Sequence, residues 1–271
     1  MTDAPGRRYW DATTAEYQAR TRISCGDFHY GPLLPGDAEL CLLPRHLNGL
    51  RCLELGCGAG QNSIVLARKG ALCTALDLSQ AQLKSGRALA AKHSVSIRFI
   101  QADIDALPIS LGPVFDLVHS VYALPFVKRP AKAIANAAEL LRPGGTLIAV
   151  FAHPAFAGEW LELDDRLGIL IESYFSPRPD RRQLSRNGVH TVCQAYPLGL
   201  VHGWICSAGL EVCTLAEPRA APIPQMTEAA ISKRVPYDSP AWRHHYSELA
   251  RVPGVAIFVA EKRGTTTAFC A

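Results

Sequence analysis

The sequence lacks any uninterrupted apolar run of about 20 residues, the length that a membrane-spanning helix requires. It also lacks the apolar stretch of a secretory signal peptide, because residues 1–22 are polar and charged. Net charge is small, since 28 Lys and Arg residues face 24 Asp and Glu residues. This balance is too weak by itself to indicate a nucleic-acid or anionic-membrane partner. Together these absences favour a globular domain that has no membrane partner.

Cys-x-x-Cys pairs are absent as well, although the chain has nine cysteines. Their number is odd, and Cys52, Cys73 and Cys213 lie in strand-like apolar runs, where a free thiol behaves as a small apolar side chain. The pattern therefore argues against a disulfide framework and against a zinc site. We expect a cytoplasmic protein with no metal.

What the sequence does contain is an alternation of short apolar runs and helical stretches. It predicts strands at residues 51–55, 72–78, 96–101, 115–121, 146–151, 210–215 and 255–260, and helices at residues 61–69, 79–92, 129–141 and 198–208. This order predicts an α/β fold with a doubly wound, mostly parallel seven-stranded sheet, covered by helices on both faces. We assign residues 1–48 to an N-terminal helical lid or substrate segment. Residues 49–271 form the main domain, with an insertion after the fifth strand at about 153–195.

A glycine loop, Gly56-Cys57-Gly58-Ala59-Gly60, follows the first predicted strand. Glycines at a strand-to-helix turn let the backbone approach a ligand closely, and the next helix offers free N–H groups. Two acids extend the pattern: Asp77 ends the second strand and Asp103 follows the third. Carboxyl ends of successive parallel strands share one edge of the sheet, where Asp77 can accept both hydroxyls of a ribose. The cluster predicts a crevice for an adenosine.

The spacing within the loop selects among adenosine cofactors. A dinucleotide site has the pattern Gly-x-Gly-x-x-Gly, but here the third glycine comes one residue early and position 61 is Gln. An acid, Glu54, also stands two residues before Gly56. A carboxylate there repels a pyrophosphate but suits a ligand with an ammonium and a sulfonium group. The electrostatics favour S-adenosylmethionine over a nicotinamide or flavin dinucleotide, which stays as a weaker alternative.

Five segments carry a resemblance to a known family: LELGCGAGQNS, ALDLS, QADIDALP, FDLVHSVYALPF and LRPGGTLIAV. They resemble the five motifs of class I S-adenosylmethionine-dependent methyltransferases, over residues 50–151. The start, YWDATTAEYQ, is similar to the N-terminal helix of the small-molecule branch of that family. The resemblance implies a Rossmann-like methyltransferase fold, S-adenosyl-L-methionine as cofactor, and methyl transfer to a small organic molecule.

The resemblance also implies roles for particular residues. Gly56 and Gly58 cradle the methionine part, Asp77 holds the ribose, and the backbone carbonyl of His119 reaches the amino group of the cofactor. The full set of cofactor contacts is Tyr17, Glu54, Gly56, Cys57, Gly58, Gln61, Asn62, Asp77, Leu78, Asp103, Ile104 and His119. Gln61 and Asn62 are equally consistent with a helix-terminal pair that faces water.

Two segments are candidates for the acceptor pocket. Ahead of the sheet, His29 and Tyr30 lie in an aromatic stretch that suits a flat substrate with one proton to remove, and His29 is the candidate base. After the fourth strand, Tyr122 lies where ligands bind in this fold. Core packing is the alternative for all three. A general base is needed only when the acceptor arrives protonated, because the sulfonium already activates the methyl carbon.

The choice of acceptor stays open at this point. The sequence after the fourth strand, His119-Ser120-Val121-Tyr122, lacks the Asn/Asp-Pro-Pro-Tyr/Phe element typical of enzymes that methylate adenine or glutamine nitrogens. Arginines at positions 178, 181, 182, 186 and 243 make RNA the main rival to a small molecule. An aromatic or anionic small molecule accounts for the same arginines without RNA. A third alternative is a protein that binds the cofactor and catalyses nothing.

Overall fold

The computed structural model describes residues 5–107, 114–163, 166–184 and 189–264. Its strands are β1 (Arg51–Leu55), β2 (Leu72–Asp77), β3 (Ile97–Gln101), β4 (Phe115–Val121), β5 (Leu141–Ala152), β6 (Glu159–Leu163), β7 (Arg166–Leu170), β8 (Asp180–Gln183), β9 (His190–Cys193), β10 (Leu210–Ala216) and β11 (Val255–Lys262). Its α-helices are α1 (Pro5–Thr21), α2 (Asp37–Leu40), α3 (Gln61–Arg68), α4 (Gln80–Lys92), α5 (Pro130–Leu140), α6 (Leu198–Ser207), α7 (Glu228–Arg234), α8 (Pro240–Arg243) and α9 (Tyr246–Leu249).

Seven of the strands form one sheet in the spatial order β10-β11-β5-β4-β1-β2-β3. The five strands from β3 to β5 run parallel, and β11 is antiparallel to both of its neighbours. This confirms the predicted doubly wound, mostly parallel, seven-stranded sheet. The order of the strands along the chain reverses between β1 and β4. A crevice therefore opens beyond their carboxyl ends, which is where ligands bind in open α/β sheets.

The sheet is buried on both faces, as its nearly continuous apolar strands require. On one face, α5 and α6 contribute Ile134 and Val201 to a core with Val118 of β4. On the other, Ile64 of α3 packs with Phe28 from the segment before β1. Each such fully buried side chain stabilises the fold by about 1.5–3 kcal/mol. The faces of the sheet are thus fixed, and with them the edge at which the loops meet.

Local signals in the sequence set most element boundaries. Ser79 caps α4, since its hydroxyl accepts a hydrogen bond from the N–H of Gln82 at 3.1 Å. Gly70, with φ of +88°, follows the end of α3. The fifth strand differs from the prediction because it begins at Leu141 rather than at Thr146. Leu141 pairs with Phe115 and Thr146 pairs with Leu117, so the Pro-Gly-Gly turn between them interrupts the pairing with β4 as an irregularity of the strand.

The predicted insertion after β5 contains two antiparallel hairpins, β6–β7 and β8–β9, which the sequence did not indicate. A second excursion, residues 217–254 between β10 and β11, holds the short helices α7, α8 and α9 and packs its own cluster around Leu33. Backbone bonds join this excursion to the N-terminal segment: Ser24 N–H donates to Pro236 at 2.8 Å, and Leu33 N–H to Tyr237 at 2.9 Å. The division at residue 48 and the bounds of the insertion stay predictions.

Within the described residues, no helix has the length and apolar character needed to cross a membrane. The eight cysteines in this part of the chain are free. The same residues contain no group of three or more His, Cys, Asp or Glu side chains arranged to hold a metal ion.

Candidate cofactor and acceptor site

A cleft of about 1120 Å³ opens at the carboxyl ends of β1, β2 and β4, where the chain order reverses. One end, the cofactor end, is lined by the loops after β1, β2 and β3. The other, the acceptor end, is lined by α1, the residues after β4, the hairpin β8–β9 and residues 237–245. Pockets for one small ligand usually measure about 300–1,000 Å³. The cleft therefore has room for a cofactor and a second molecule.

The glycine loop turns the chain from β1 into α3 with little space around it. Gly56 has φ of +70°, and a Cβ at this position would overlap the Cβ of Ala123 and lie 3.3 Å from Ile104. Gly58 has φ of +55°, and its N–H donates to Asp77 Oδ2 at 2.8 Å. Because both glycines line the cleft, the backbone itself forms the floor under a ligand. A side chain at position 56 would clash with Ala123, so the turn could not keep its present path.

The two predicted acids lie at neighbouring strand ends and both line the cleft. Asp77 Oδ1 accepts from the N–H of Ser79 at 2.8 Å, so backbone groups hold its carboxylate in place. Burial raises the pKa of Asp77 to about 6, although the hydrogen bonds from Ser79 and Gly58 oppose the rise. Asp103 follows β3, and its Oδ1 accepts from the N–H of Asp105 at 2.9 Å. Leu78 and Ile104 line the cleft beside these acids, at the place where the sequence predicts an adenosine, and that assignment stays a prediction.

Glu54 lies below the loop rather than in the cleft lining. Its Oε2 accepts from the Ser63 hydroxyl at 2.5 Å and from the Ser63 N–H at 3.1 Å. Burial raises the pKa of Glu54 to about 7, against the lowering effect of these two bonds. A cation bound over the loop would favour the charged carboxylate. The position suits support of an ammonium group through the loop.

Three other predicted contacts organise the loop and do not line the cleft. Gln61 Nε2 donates to Gln18 Oε1 of α1 at 2.8 Å, and Gln18 Nε2 donates to Gln82 Oε1 at 2.9 Å. Asn62 exchanges two hydrogen bonds with the backbone of His29, at 2.9 and 3.0 Å. Cys57 is buried, and its N–H donates to the carbonyl of Leu76. Because these polar groups are already paired, Gln61 and Asn62 tie α1 and the N-terminal segment to α3 instead of reaching into the cleft.

His119 lies inside β4, two residues before the strand ends at Val121, and is fully buried. Its ring packs edge-on against Phe28, with centroids 5.2 Å apart. Neither ring nitrogen has a hydrogen-bond partner among the described residues. Burial lowers the pKa of His119 to about 3, so the ring is neutral at physiological pH. The side chain is a core group, and only the backbone remains for the predicted cofactor contact.

The structure does not bring His29 and Tyr30 to the cleft. Tyr30 is fully buried, and its hydroxyl donates to Asp37 Oδ1 at 2.5 Å. The His29 ring packs edge-on against Tyr237, and burial lowers its pKa to about 4. A hydroxyl already committed to a carboxylate and an imidazole with so low a pKa are unsuited to take a proton from a substrate. Both side chains are corrected from candidate catalytic groups to packing groups.

Tyr122 and Tyr17 do line the cleft, Tyr122 in the segment that follows β4 and Tyr17 on α1. Tyr122 follows β4 with φ of +64°, a conformation that costs a residue with a Cβ on the order of 1–3 kcal/mol. Its N–H donates to the Val150 carbonyl at 3.2 Å, which holds the chain in that conformation. Burial raises the pKa of Tyr122 and of Tyr17, so both hydroxyls are protonated at neutral pH.

The acceptor end also contains residues to which sequence reasoning gave no such role. Trp10 of α1 stands edge-on to Phe126, with centroids 5.4 Å apart, and to Tyr17, at 5.5 Å. Tyr237 and Trp242 come from the excursion between β10 and β11. No periodic pattern marks that excursion, so no sequence signal pointed to it. Arg182, read in the sequence as part of a possible RNA-binding patch, lies on the cleft wall instead.

Residues 53–149 match the family model described as a methyltransferase domain. A ubiquinone biosynthesis O-methyltransferase of Alkalilimnicola ehrlichii is 33% identical over 147 residues, which are 54% of this chain and 55% of that protein. The chain thus spans about half the length of the curated relatives it matches.

Solved structures agree with the fold. An S-adenosylmethionine dependent methyltransferase from Mesorhizobium loti has a TM-score of 0.62 and 26% identity, covering 83% of this chain and 95% of that one. A 1,6-didemethyltoxoflavin-N1-methyltransferase from Burkholderia thailandensis, solved with S-adenosylhomocysteine bound, has a TM-score of 0.57 over 96% of this chain and 88% of its own. At 12% identity that likeness concerns the fold alone. Together with the glycine loop and the two acids at successive strand ends, these matches show a methyltransferase domain over residues 53–149, in a fold shared with S-adenosylmethionine-dependent methyltransferases.

Proposed function

We propose that the protein transfers the methyl group of S-adenosylmethionine to a small organic molecule by in-line displacement. The observation that carries this proposal is the single cleft, which joins the glycine loop and Asp77 at one end to Tyr122 at the other. A methyl donor on the loop and an acceptor beside Tyr122 would share one cavity. The acceptor of the reaction would then lie within reach of the sulfonium.

The chain offers a fitting site for the cofactor. Gly56 and Gly58 would hold the methionine part through their backbone, and a Cβ at position 56 would overlap Ala123 and disturb this turn. Asp77, held by two backbone N–H groups, is placed to accept the ribose hydroxyls. Asp103 and Ile104 would frame the adenine, with Leu78 beside the ribose. Tyr17 of α1 would close over the methionine part, and the bound cofactor supplies a methyl carbon already activated for displacement.

The protein's own part in the reaction is to orient the acceptor and exclude water. Such positioning supplies much of the acceleration of a displacement between two bound molecules. Tyr122, fixed in its unusual conformation at the end of β4, would position the acceptor against the cofactor. The helix α1, held by Gln18 between Gln61 and Gln82, would keep water out of the cleft.

Aromatic side chains support an aromatic acceptor. Trp10, Phe126, Tyr122, Tyr237 and Trp242 line the same end of the cleft and offer flat apolar faces. The relative from Alkalilimnicola ehrlichii is an O-methyltransferase by name, whereas the Burkholderia thailandensis protein methylates a nitrogen. These two names support a small-molecule acceptor and leave oxygen, nitrogen and carbon as possible acceptor atoms.

The arginines give little support to the RNA alternative. Arg243 is bound by Asp238 at 2.6 Å and by Glu228 at 2.9 Å, which neutralises its charge. Arg182 pairs with Asp180 and lines the cleft. Arg178 and Arg181 are exposed, and position 186 lies outside the described residues. Two exposed arginines make a weak footprint for a phosphate backbone.

The free cysteines support a reducing compartment. Extracellular domains of this size commonly pair their thiols, whereas cytoplasmic proteins keep them reduced. All cysteines in the described part of the chain are unpaired. We therefore propose a cytoplasmic location as well.

Calorimetric titration with S-adenosylmethionine, on wild type and Asp77→Ala, tests the cofactor site. Loss of two charge-assisted hydrogen bonds should cost about 3 kcal/mol, or about 100-fold in affinity. Asp116→Ala is a matched control, because Asp116 is buried to the same degree but pairs with Arg142 away from the cleft. Equal binding by wild type and Asp77→Ala would contradict the proposal. Binding without any S-adenosylhomocysteine formed across an acceptor panel would favour a cofactor-binding protein without turnover.

A further inference from the structure

One guanidinium on the acceptor-end wall is held in a defined orientation. Arg182 lies in β8, opposite Thr191 of β9 in the hairpin of the insertion. Its Cζ lies 5.2 Å from the ring centroid of Phe126, which is the geometry of a cation–π contact. Its Nε donates to Asp180 Oδ2 at 2.8 Å. These two contacts fix the plane of the group.

The outer edge of the same group is free to bind. Within the described part of the chain, Nη1 and Nη2 of Arg182 make no hydrogen bond to another residue. The side chain keeps 30% of its surface exposed, and it lines the cleft. A guanidinium offers two parallel N–H donors along that edge, which match the two oxygens of a carboxylate.

The charge of Arg182 acts on the acceptor end and not only on the surface. Burial raises the pKa of Tyr122 and of Tyr17, and the positive charge of Arg182 opposes that rise in both. Both tyrosines also line the same cleft as Arg182. Tyr122 is the residue that we place beside the acceptor, so an anion bound to Arg182 would belong to the acceptor.

We propose that Arg182 binds the carboxylate of a planar aromatic acid and thereby selects and orients the methyl acceptor. The inference rests on the proposed function and names the class of substrate for that same site. The ring of such an acid would lie among Trp10, Phe126 and Tyr122, which line the cleft together with Arg182. A carboxylate suits the site better than a phosphate, because Asp180 already offsets part of the charge of Arg182.

The neighbouring Arg181 provides a contrast within the same strand. Successive side chains of a strand point to opposite faces, and Arg181 is exposed and absent from the cleft lining while Arg182 is half-buried within it. The two variants Arg182→Gln and Arg181→Gln therefore remove the same charge from two faces of one hairpin. Only the first should change recognition of the acceptor.

The test is a calorimetric comparison of matched ligands, hydroxybenzoates and the corresponding hydroxybenzamides, titrated in the presence of saturating S-adenosylhomocysteine at pH 7.5. We expect wild type to bind the benzoates about 10-fold tighter than the neutral amides, as one charge-assisted pair predicts. Arg182→Gln should bind both ligand types equally, with its affinity for the amides unchanged. Arg181→Gln should keep the preference, and Arg182→Lys should retain part of it, because Lys keeps the charge but lacks the fork.

Three results would overturn the inference: no preference for the benzoates in wild type, a preference that survives in Arg182→Gln, or no binding of any benzoate. Titration of S-adenosylhomocysteine alone, run on the same samples, separates this failure from a failure of the proposed function. A protein that binds S-adenosylhomocysteine but shows no benzoate preference keeps the proposed function and loses the role of Arg182. Thermal unfolding of each variant shows whether the substitution disturbs the hairpin. If Arg182→Gln does disturb it, the ligand preference of Arg182→Lys provides the test instead.

Discussion

The two ends of the cleft are built in different ways. The cofactor end comes from consecutive loops of one sheet, with Gly56, Asp77 and Asp103 each within a few residues of a strand end. The acceptor end is assembled from segments far apart in the chain, such as Trp10 in α1, Arg182 in a hairpin and Tyr237 near the C-terminus. The sheet positions the residues of the cofactor end, whereas the packing of irregular segments positions the residues of the acceptor end.

This difference explains how one fold serves many acceptors. The cofactor end depends on strand order and a glycine turn, which any acceptor would leave unchanged. The acceptor end depends on insertions that connect the strands and vary without disturbing the sheet. We therefore expect substitutions at the two ends to separate, with cofactor affinity sensitive to the first and acceptor affinity to the second.

The largest effect is expected for Gly56→Ala. Gly56 has φ of +70°, and the added Cβ would overlap Ala123, so the loop or the residues after β4 must shift and the cofactor end changes shape. We expect the affinity for S-adenosylmethionine to fall by about 100-fold, which is about 3 kcal/mol. Isothermal titration measures this loss, and thermal unfolding measures the accompanying loss of stability.

Gly144→Ala is the control that separates the effect of the steric overlap at position 56 from the effect of a positive φ alone. Gly144 has φ of +75°, but a Cβ there would meet nothing within 4 Å. It should cost about 1 kcal/mol of stability and leave cofactor affinity unchanged. If folded Gly56→Ala and Gly144→Ala bind S-adenosylmethionine with equal affinity, the glycine loop does not approach its ligand closely. The proposed difference between the cofactor end and the acceptor end would then be contradicted.

The cofactor end was predictable from sequence because each of its signals is local. A glycine loop, a strand-terminal Asp and the hydrophobic pattern of five strands lie within residues 51–151, and the strand order brings them together. The boundaries followed from caps such as Ser79. The exceptions were polar side chains such as Asn62, whose partner, the backbone of His29, belongs to a segment before the sheet.

At the acceptor end, Tyr122 was predictable because it follows a strand end, but the other aromatic residues were not, because tertiary contacts decide which of them face the cleft. His29 and Tyr30 are adjacent in the sequence, as the residues of a catalytic site often are. In the structure, however, the hydroxyl of buried Tyr30 donates a hydrogen bond to the carboxylate of Asp37. Tyr237 lies in a stretch without periodicity, and the backbone bond from Leu33 to Tyr237 places it. Neither contact can be predicted from the amino-acid composition of the surrounding sequence.

A smaller effect is expected for His119→Leu, and it concerns stability instead of binding. The pKa of His119 is held at about 3 in the folded protein, against 6.5 for the unfolded chain. Below pH 6.5, His119 therefore binds a proton in the unfolded state but stays neutral in the folded state. The free energy of unfolding of wild type consequently falls as the pH drops. Between pH 7.5 and 5 this one group should cost about 2 kcal/mol. His119→Leu removes that loss.

Urea unfolding at pH 7.5 and pH 5 measures the difference. Glu54 and Asp77 titrate in the same window with the opposite sign, since their pKa values are raised to about 7 and about 6. They are present in both proteins and cancel in the comparison. His46→Leu, at an exposed position, is the control for replacing a histidine by a leucine. If His119→Leu binds the cofactor as tightly as wild type does, the result fits a role for the backbone of His119 alone. If the stability of His119→Leu depends on pH in the same way as that of wild type, the His119 ring has a hydrogen-bond partner in the folded protein.

The smallest effect is expected where the two ends touch. Asp11 of α1 accepts hydrogen bonds from the Ser79 hydroxyl at 2.7 Å and from the Ala81 N–H at 3.2 Å, at the first turn of α4. Ser79 in turn donates its N–H to Asp77, so one short chain of contacts joins α1 to the ribose-binding acid. Asp11→Asn keeps the shape but removes a negative charge from a helix N-terminus, which should cost about 1 kcal/mol of stability.

If α1 supports the cofactor end through this contact, Asp11→Asn should also weaken S-adenosylmethionine binding by about threefold, since α1 would dock less firmly over the cleft. Glu16→Gln is the matched control, because Glu16 lies on the same helix and also lines the cleft but, among the described residues, pairs with Arg20 and not with α4; both side chains are about two-thirds exposed. Exposed pairs of this kind contribute at most about 1 kcal/mol, and this one touches no loop of the cofactor end. Equal cofactor affinities for Asp11→Asn and Glu16→Gln would mean that the two ends are energetically independent, and α1 would then act on the acceptor alone.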